Sequence, residues 1–154
     1  MAYEQLELRH QLCFRLYTAS RLITQAYEPY LKPLGITYTQ YLVLLVLWEK
    51  DNQPVNDIGK KLLLGINTTS PLIKRMEVLG LVARHGNDAD KRQQWVYLTP
   101  KGKQMKEDAA NIPNCLAKQM LKSGVAPEEM FKMIPLLDEF ISKMSAKEKQ
   151  DTVE

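Results

Sequence analysis

The feature that most constrains the fold of this chain is a pair of short helical segments joined by a glycine-containing corner, with two strands directly behind them. Pro54 opens the first segment, in which Ile58 and Leu62 recur at a helical spacing of four. The corner spans residues 63–65, and a second helical segment follows over residues 67–79. Two short helices around such a turn are the outline of a helix-turn-helix.

The two strands make this unit more specific. After Gly80, residues 81–85 indicate an apolar strand, residues 86–92 a polar loop, and residues 93–98 a second, alternating strand. A hairpin placed directly after the second helix is the wing of a winged helix. The sequence therefore predicts a mainly α fold with a small β-hairpin wing, in which residues 35–99 form a winged helix-turn-helix DNA-binding unit.

The first predicted helix, over about residues 6–31, has an apolar face too wide for packing against one small domain. Two adjoining stripes run along it at steps of three and four: Leu12, Leu16, Ala19, Ile23, Ala26 and Tyr30 in one, and Cys13, Tyr17, Ser20, Thr24, Tyr27 and Leu31 in the other. Such a helix buries one side in its own core and the other against a partner chain. Because the C-terminal helices also carry surplus apolar surface, residues 1–34 and 100–154 are predicted to form the helical dimerisation layer of a homodimer.

Threonine caps mark the starts of two further helices. Thr37 precedes a helix over about residues 38–50, and Thr99, followed by a proline, precedes one that runs to about residue 122. A last helical segment restarts at Pro127.

The bulk composition is that of an ordinary globular protein. Hydrophobic residues make up 45% and charged residues 25%, and the net charge of +3 permits a nucleic-acid partner without requiring one. No apolar run reaches the roughly 18 residues that span a bilayer, and the N-terminus lacks the basic start and apolar stretch of a signal peptide. We therefore expect no membrane partner and a cytoplasmic location, where Cys13 and Cys115 would rest as thiols.

Exposed polar residues at the start of the second helix of the helix-turn-helix predict contacts with double-stranded DNA. Asn67, Thr68 and Ser70 lie in its first turns, with Lys74 and Arg75 one turn further on. Short polar side chains at a helix N-terminus can reach base edges and phosphates, and the positive end of the helix dipole favours phosphate. The alternative is that these residues are helix caps and solvated surface.

The predicted wing adds basic residues that favour the DNA interpretation. Lys91 and Arg92 lie near its tip, and Arg84 lies on the opposite strand. A thin basic hairpin beside a recognition helix suits the minor groove, where a narrow groove deepens the negative potential. Asp88 and Asp90 are expected to hold Arg92 or Lys91 in a fixed geometry.

Cys13 is open to two interpretations. A cysteine on an apolar helix face is commonly a small core residue, and Tyr27 and Tyr38 would then be core aromatics. Tyr27 lies 14 positions after Cys13 (27 − 13 = 14), about 21 Å along a helix, so the two cannot meet within one chain. They could meet if the first helices of two chains run antiparallel across a twofold axis. A phenol donating to the sulfur would then stabilise a thiolate, which reacts with a peroxide to give a sulfenic acid.

Several segments resemble the MarR family of bacterial regulators, and within it the organic-hydroperoxide-sensing OhrR branch. The matching segments are QLCFRLY (11–17), LGITYTQYLV (34–43), PLIKRME (71–77), DADKR (88–92) and LTPKG (98–102). The resemblance covers about residues 6–104. It implies a homodimer that binds a pseudo-palindromic operator, represses transcription when reduced, and releases DNA when an organic hydroperoxide oxidises it.

The resemblance also implies roles for single residues. Cys13 would be the peroxidatic cysteine, with Tyr27 and Tyr38 of the other subunit hydrogen-bonded to its sulfur. Arg92 falls on the minor-groove arginine of the family's wing.

Two segments depart from the family pattern. Where the family has DSGTLT at the entry to the recognition helix, this chain has GINTTS over residues 65–70, so base contacts do not transfer. Cys115 lies about one helical turn from the place of the resolving cysteine found in some members. Either a resolving thiol or a core thiol fits that position.

Other functions fit the sequence less well. The chain has no CxxC motif, no Ser/His/Asp set and no glycine-rich phosphate loop, so no enzyme and no cofactor are predicted. His10 and Cys13 share a helix face, but two ligands are weak evidence for a metal, and His85 is far away in sequence. Within the regulator class, the alternative is a MarR-type repressor relieved by a small apolar or aromatic ligand, with Cys13 structural. A winged helix used for protein contacts alone is disfavoured by the basic residues on both the helix and the wing.

Overall fold

Helices dominate the fold, and three short strands form a small sheet. The computed structural model describes residues 3–86, 89–90 and 92–150, the last four of these by backbone alone. The α-helices are α1 (Leu12–Leu31), α2 (Tyr38–Glu49), α3 (Val55–Leu62), α4 (Ile66–Val78), α5 (Pro100–Ala109), α6 (Ile112–Lys122), α7 (Pro127–Phe131) and α8 (Ile134–Gln150). The strands are β1 (Gln53–Pro54), β2 (Val82–Gly86) and β3 (Gln94–Leu98). The prediction of a mainly α fold with a small β wing is confirmed.

The first helix begins later than the sequence predicted. Residues 4–10 contain two short 3₁₀ turns, and Gln11 enters α1 with an extended backbone. The Gln11 side-chain amide donates to the Gln5 carbonyl at 2.6 Å, and the Arg15 guanidinium donates to the Arg9 carbonyl at 2.5 Å. Because side chains satisfy these carbonyls, the segment does not need helical bonds, and the predicted earlier start was wrong.

Both threonine caps are confirmed. Thr37 and Gln40 form a reciprocal capping box, in which the Thr37 hydroxyl accepts the Gln40 N–H at 3.4 Å and the Gln40 side-chain oxygen accepts the Thr37 N–H at 2.9 Å. The Thr99 hydroxyl accepts the Gly102 N–H at 3.1 Å. These caps fix where α2 and α5 start.

Behind the wing, the predicted single helix to about residue 122 is interrupted between α5 and α6. The Ala110 N–H donates to the Glu107 carbonyl, three residues back, which is the tighter bonding of a 3₁₀ turn. That prediction of an unbroken helix was therefore wrong. The restart at Pro127 is confirmed, and a further break precedes α8, whose second residue is Pro135.

The chain divides into two compact units, residues 1–112 and residues 113–154. The core of the first unit lies between the helix-turn-helix, α2 and the sheet, and its fully buried members include Leu44 of α2, Ile73 of α4 and Val96 of β3. The second unit contains α6 from its second residue onward, α7 and α8. The predicted division into a winged unit and a dimerisation layer stays a prediction.

The corner of the helix-turn-helix depends on a residue without a side chain. A Cβ at Gly59 would lie 2.9 Å from the Leu64 carbonyl oxygen and 2.9 Å from the Thr69 hydroxyl oxygen. Thr69 is itself fully buried, and its hydroxyl donates to the Gly65 carbonyl at 3.0 Å. Glycine at position 59 therefore lets α3 and α4 approach closely enough to share this corner.

The sheet has one strand more than the predicted hairpin. β1 pairs antiparallel with β3, in the order β1–β3–β2, with Gln53 opposite Val96 and Pro54 opposite Trp95. The buried Gln53 side chain donates to the Val46 carbonyl at 3.0 Å, near the end of α2. A strand of two residues is too short to produce an alternating pattern, so the sequence did not predict it.

Asp51→Ala is expected to lower the free energy of unfolding by about 1–3 kcal/mol. One carboxylate oxygen of Asp51 accepts the N–H groups of Asn52 and Leu98, each at 2.8 Å, and so joins the loop after α2 to the end of β3. Urea denaturation followed by circular dichroism measures the loss. Glu139→Ala, which breaks an exposed pair with Lys143, serves as the control and is expected to cost less than about 0.5 kcal/mol. Equal losses in the two variants would contradict the structural role of Asp51.

Candidate nucleic-acid interface and thiol site

The polar residues of α4 lie on its solvent side, as predicted. Asn67, Thr68, Lys74 and Arg75 are exposed and Ser70 is half-buried. The buried residues of α4 face the core: Thr69, Leu72, Ile73 and Met76. The separation follows from the helical period, which returns each side chain to the same face after three or four residues.

The first turn of α4 is open to an anion. The helix begins at Ile66, and Gly65 before it provides no side-chain cap. The N–H groups of Thr68 and Thr69 donate to the Gly65 carbonyl at 3.0 and 2.9 Å. The N–H groups ahead of them have no carbonyl within the helix to bond, so this end carries a partial positive charge.

The wing carries Arg92 exposed in its turn, while Lys91 and Asp88 lie outside the described residues. The Asp90 carboxylate accepts the backbone N–H of Arg92 at 3.0 Å. The sequence predicted that an acidic residue of the loop would hold the side chain of Arg92 or Lys91. The contact that the structure describes is with the backbone, so Asp90 shapes the turn that carries Arg92.

A half-buried ion pair joins α4 to the wing. The Nε atom of Arg84 on β2 lies 2.8 Å from a carboxylate oxygen of Glu77 on α4. The sequence placed Arg84 on the wing but gave it no partner. Little in the sequence indicated this ion pair, because the two residues are seven positions apart and lie on either side of the turn at Gly80.

The two cysteines occupy different units of the chain. Cys13 lies in the first turn of α1 and is exposed, whereas Cys115 lies in α6 and is half-buried. Both are thiols in the structure. Tyr27 follows on the same helix as Cys13, about 21 Å further along the axis, so the predicted separation within one chain holds.

The two predicted tyrosines are brought together in a cluster with a third. The ring centroids of Tyr27 and Tyr38 are 4.9 Å apart, and Tyr41 lies 5.8 Å from Tyr27 and 6.4 Å from Tyr38. Tyr41 was missed as a member, although its spacing of three from Tyr38 on α2 places both on one face. The cluster continues to Trp48, whose ring lies 6.2 Å from Tyr41.

Burial raises the pKa of Tyr27, Tyr38 and Tyr41 above the ordinary value of 10.0, and the neighbouring phenols raise that of Tyr27 further. The phenols therefore stay protonated at neutral pH and can donate hydrogen bonds. Since their pKa is raised in the folded state, the associated stability is complete below pH about 10 and is lost as the pH rises through the folded pKa.

An alkaline titration of tyrosinate absorbance is therefore expected to show a late phase, and Tyr38→Phe should reduce its amplitude by about one tyrosine. The same titration in guanidinium chloride, where the chain is unfolded, should lack the late phase. A late phase that survives unfolding, or that Tyr38→Phe leaves unchanged, would contradict burial as its cause.

The described ranges contain neither a cluster of metal-binding side chains nor a membrane-spanning helix. No three or more His, Cys, Asp or Glu side chains are grouped there so as to hold a metal ion. None of the helices described is both long and apolar enough to cross a bilayer.

A helix-turn-helix, a hairpin wing and exposed cations on both define a winged-helix transcriptional regulator. Residues 25–109 match the family described as transcriptional regulator SarA/Rot. The chain is also 41% identical to the organic hydroperoxide resistance transcriptional regulator of Bacillus subtilis over 122 residues, which are 79% of this chain and 83% of that protein. The chain therefore belongs to the SarA/Rot family of transcriptional regulators. Its similarity to the organic hydroperoxide resistance regulator confirms the resemblance that was predicted from the sequence.

Solved structures of the regulator AbfR, from Staphylococcus epidermidis, are similar over nearly the whole chain. Reduced AbfR bound to DNA is 41% identical with a TM-score of 0.77, covering 94% of this chain and 99% of that one. Overoxidized AbfR bound to DNA gives a TM-score of 0.75 at the same identity and the same coverage. AbfR with a disulfide formed is 40% identical with a TM-score of 0.65, covering 90% of this chain and 95% of that one.

Proposed function

We propose that this protein is a homodimeric, DNA-binding repressor that senses organic hydroperoxides through oxidation of Cys13 and then releases its operator. One observation carries the proposal: an exposed thiol lies at one end of α1, and a cluster of phenols lies near the other end of the same helix. An antiparallel pairing of two α1 helices would bring the Tyr27 and Tyr38 hydroxyls of each chain to the Cys13 sulfur of the other.

The apolar surface of α1 supports a dimer. Leu12, Tyr17 and Leu22 are exposed by 62%, 68% and 54%, although they lie on a long helix of a folded unit. In the second unit, Phe131 and Leu136 are exposed by 67% and 69%. Apolar surface of this extent favours burial against a second copy, and we place the dimerisation layer in residues 1–34 and 100–154.

DNA binding follows from the polar side of α4 and the wing. Asn67, Thr68 and Ser70 would reach base edges or phosphates from the first turns of α4 in the major groove, with Lys74 and Arg75 neutralising phosphates. From the wing, two basic residues would enter the minor groove: Lys91 and Arg92. The family relation and the DNA-bound structures of AbfR support this assignment.

The sensing chemistry needs one oxidant, an organic hydroperoxide. The Cys13 thiolate attacks a peroxide oxygen, the O–O bond breaks, and the departing alkoxide takes a proton to become an alcohol. The sulfur is left as a sulfenic acid. A second thiol then displaces the sulfenic hydroxyl as water and forms a disulfide, and Cys115 of the other chain is the proposed second thiol. The naming of the Bacillus subtilis relative and the disulfide form of AbfR support this route.

Such a protein changes a DNA equilibrium and turns over no substrate, so we propose that it is not an enzyme and that it acts in the cytoplasm, where its DNA lies. Its signal is consumed in stoichiometric amount, one hydroperoxide per Cys13.

The test is fluorescence anisotropy with a duplex from the region upstream of the protein's own gene. Reduced protein should bind tightly, and one equivalent of organic hydroperoxide per Cys13 should raise Kd at least about 10-fold, with recovery in dithiothreitol. Excess oxidant is avoided, because AbfR is described bound to DNA in its overoxidized form as well. Mass spectrometry of the thiols confirms the oxidation state reached.

Cys13→Ser is the deciding variant, since it should bind DNA with or without oxidant. Cys115→Ser should bind DNA and form the sulfenic acid but yield no disulfide between chains. Failure of reduced protein to bind the duplex would refute the repressor, whereas tight binding unaffected by oxidant would refute the thiol sensor alone.

A repressor relieved by a small apolar or aromatic ligand is the second candidate, and a cavity favours it. The cavity has a volume of about 480 Å³ and lies between the end of α1 and the start of α2, lined by Thr24, Glu28, Leu31, Lys32, Ile36 and Tyr38. Its size is that of a small-molecule site. In Cys13→Ser, a ligand response would persist and an oxidant response would not.

A further inference from the structure

A crevice separates the first turns of α4 from the wing, and every polar side chain in its described lining has at least one hydrogen-bond donor. Its volume is about 170 Å³, and its lining includes Asn56, Ile66, Ser70, Arg84, Arg92 and Gln94. The two guanidiniums, the hydroxyl and the side-chain amides all have N–H or O–H groups to donate. Carboxylates are absent from its described lining, so the crevice suits an anion.

Among the described residues, Glu77 holds Arg84 at this crevice through an ion pair. The Nε atom of Arg84 lies 2.8 Å from the Glu77 carboxylate, and both side chains are 27% exposed. A guanidinium carries five N–H donors in a rigid fork, of which one is on Nε and four are on the terminal NH₂ groups. A held guanidinium loses less freedom on binding than a solvated one would.

The path of DNA identifies the occupant. A recognition helix in the major groove and a wing in the adjacent minor groove lie on either side of the sugar–phosphate strand that separates the two grooves. The crevice is the space between those two elements. The open N-terminal end of α4 at Ile66 adds a partial positive charge on the same side.

We propose that Arg84 seats a backbone phosphodiester of the operator in this crevice, and that Glu77 is the positioning residue that holds the guanidinium there. The inference rests on the proposed DNA binding, and it adds Arg84 to the residues proposed to contact DNA. A phosphate contact strengthens binding to any duplex and does not select a sequence.

Binding of reduced protein is measured by anisotropy against potassium chloride concentration, on the upstream duplex and on an unrelated duplex of equal length. Arg84→Ala is expected to raise Kd about 10-fold on both duplexes and to make the slope of log K against log salt shallower by about 0.9. Lys132→Ala, which removes one ion-paired charge from the second unit, is the control and should change neither quantity.

The variant Glu77→Gln tests the proposal by the direction in which DNA affinity changes. Removing a negative charge near DNA should tighten binding if Coulomb attraction is all that matters. If Glu77 positions Arg84, binding should weaken by about 3-fold or more instead, since a loose guanidinium must be ordered again on each binding event.

Arg84→Lys keeps the charge but not the fork, so it should keep the salt slope and still raise Kd. If Arg84→Ala loses its helical circular dichroism and is therefore unfolded, the Kd of Arg84→Lys tests the proposal in its place. Unchanged Kd and salt slope in a folded Arg84 variant, or tighter binding by Glu77→Gln, would overturn the inference. If reduced wild-type protein binds neither duplex, the proposed DNA-binding function is refuted, and the assignment of Arg84 is refuted with it.

Discussion

Gly102→Ala is expected to lower the free energy of unfolding by about 3–5 kcal/mol, because the new methyl group has no space. A Cβ at this position would lie 2.1 Å from the carbonyl oxygen of Leu81. That oxygen belongs to the backbone and already accepts the Thr99 N–H at 3.1 Å, so it cannot turn aside as a flexible side chain would.

Moving α5 away to make room would break other bonds of the same residue. The Gly102 carbonyl accepts the Trp48 indole N–H at 3.0 Å, and its N–H donates to the Thr99 hydroxyl at 3.1 Å. Each such bond contributes about 1 kcal/mol. A domain of this size has about 5–15 kcal/mol in total, so the substitution should consume a large part of it.

Urea denaturation and thermal melting of the two proteins measure the loss. Gly65→Ala is the matched control, because nothing lies within 4 Å of the Cβ it would add and its φ of −65° suits alanine. It should cost less than about 1 kcal/mol as a change at a helix start. Similar stability in Gly102→Ala and Gly65→Ala would mean that α5 shifts freely against β2.

The sequence predicted the parts of the fold that depend on local chemistry. Thr37 and Thr99 cap their helices through residues three positions on, and the polar and apolar sides of α4 follow from its own period. Glycines, prolines and threonines placed the corner, the wing and most helix starts within a few residues. Such signals survive folding because tertiary contacts do not oppose them here.

The parts that were missed depend on contacts between distant residues. The Trp48 indole reaches Gly102 across 54 positions, and the Asp51 carboxylate reaches Leu98 across 47. Strand β1 forms because it pairs with the edge of β3. The two residues of β1 give no sign of this pairing in the sequence. The late start of α1 depends on side-chain bonds to carbonyls six residues back, which compete with helical bonding.

The residues of the candidate site also divide into those that local sequence predicts and those that depend on contacts between distant residues. The exposed residues of α4 and the exposed Cys13 could be named from periodicity and resemblance. The pair of Arg84 with Glu77 could not, since it depends on how β2 folds back on α4. The proposed phenol partners of Cys13 depend on a second chain, because Tyr27 of its own chain lies about 21 Å further along α1.

Simultaneous removal of three exposed cations from the recognition helix and the wing should weaken DNA binding about 100-fold or more. In the variant Lys74→Ala, Arg75→Ala, Arg92→Ala, each lost phosphate contact should also make the salt slope shallower by about 0.9. The stability cost should be small, because all three side chains are exposed. Anisotropy titrations over a range of salt concentrations measure Kd and slope together.

The control is a second triple variant with the same change in net charge, Lys118→Ala, Lys122→Ala, Lys132→Ala, in exposed positions of the second unit. It should keep nearly the wild-type Kd, because the proposed phosphate contacts come from α4 and the wing and none comes from these three lysines. If both triple variants lose affinity equally, DNA is attracted by overall charge rather than held by α4 and the wing. If Arg92→Ala alone accounts for the whole loss and relaxes the preference for the upstream duplex over an unrelated one, the wing rather than α4 is the element that reads the operator.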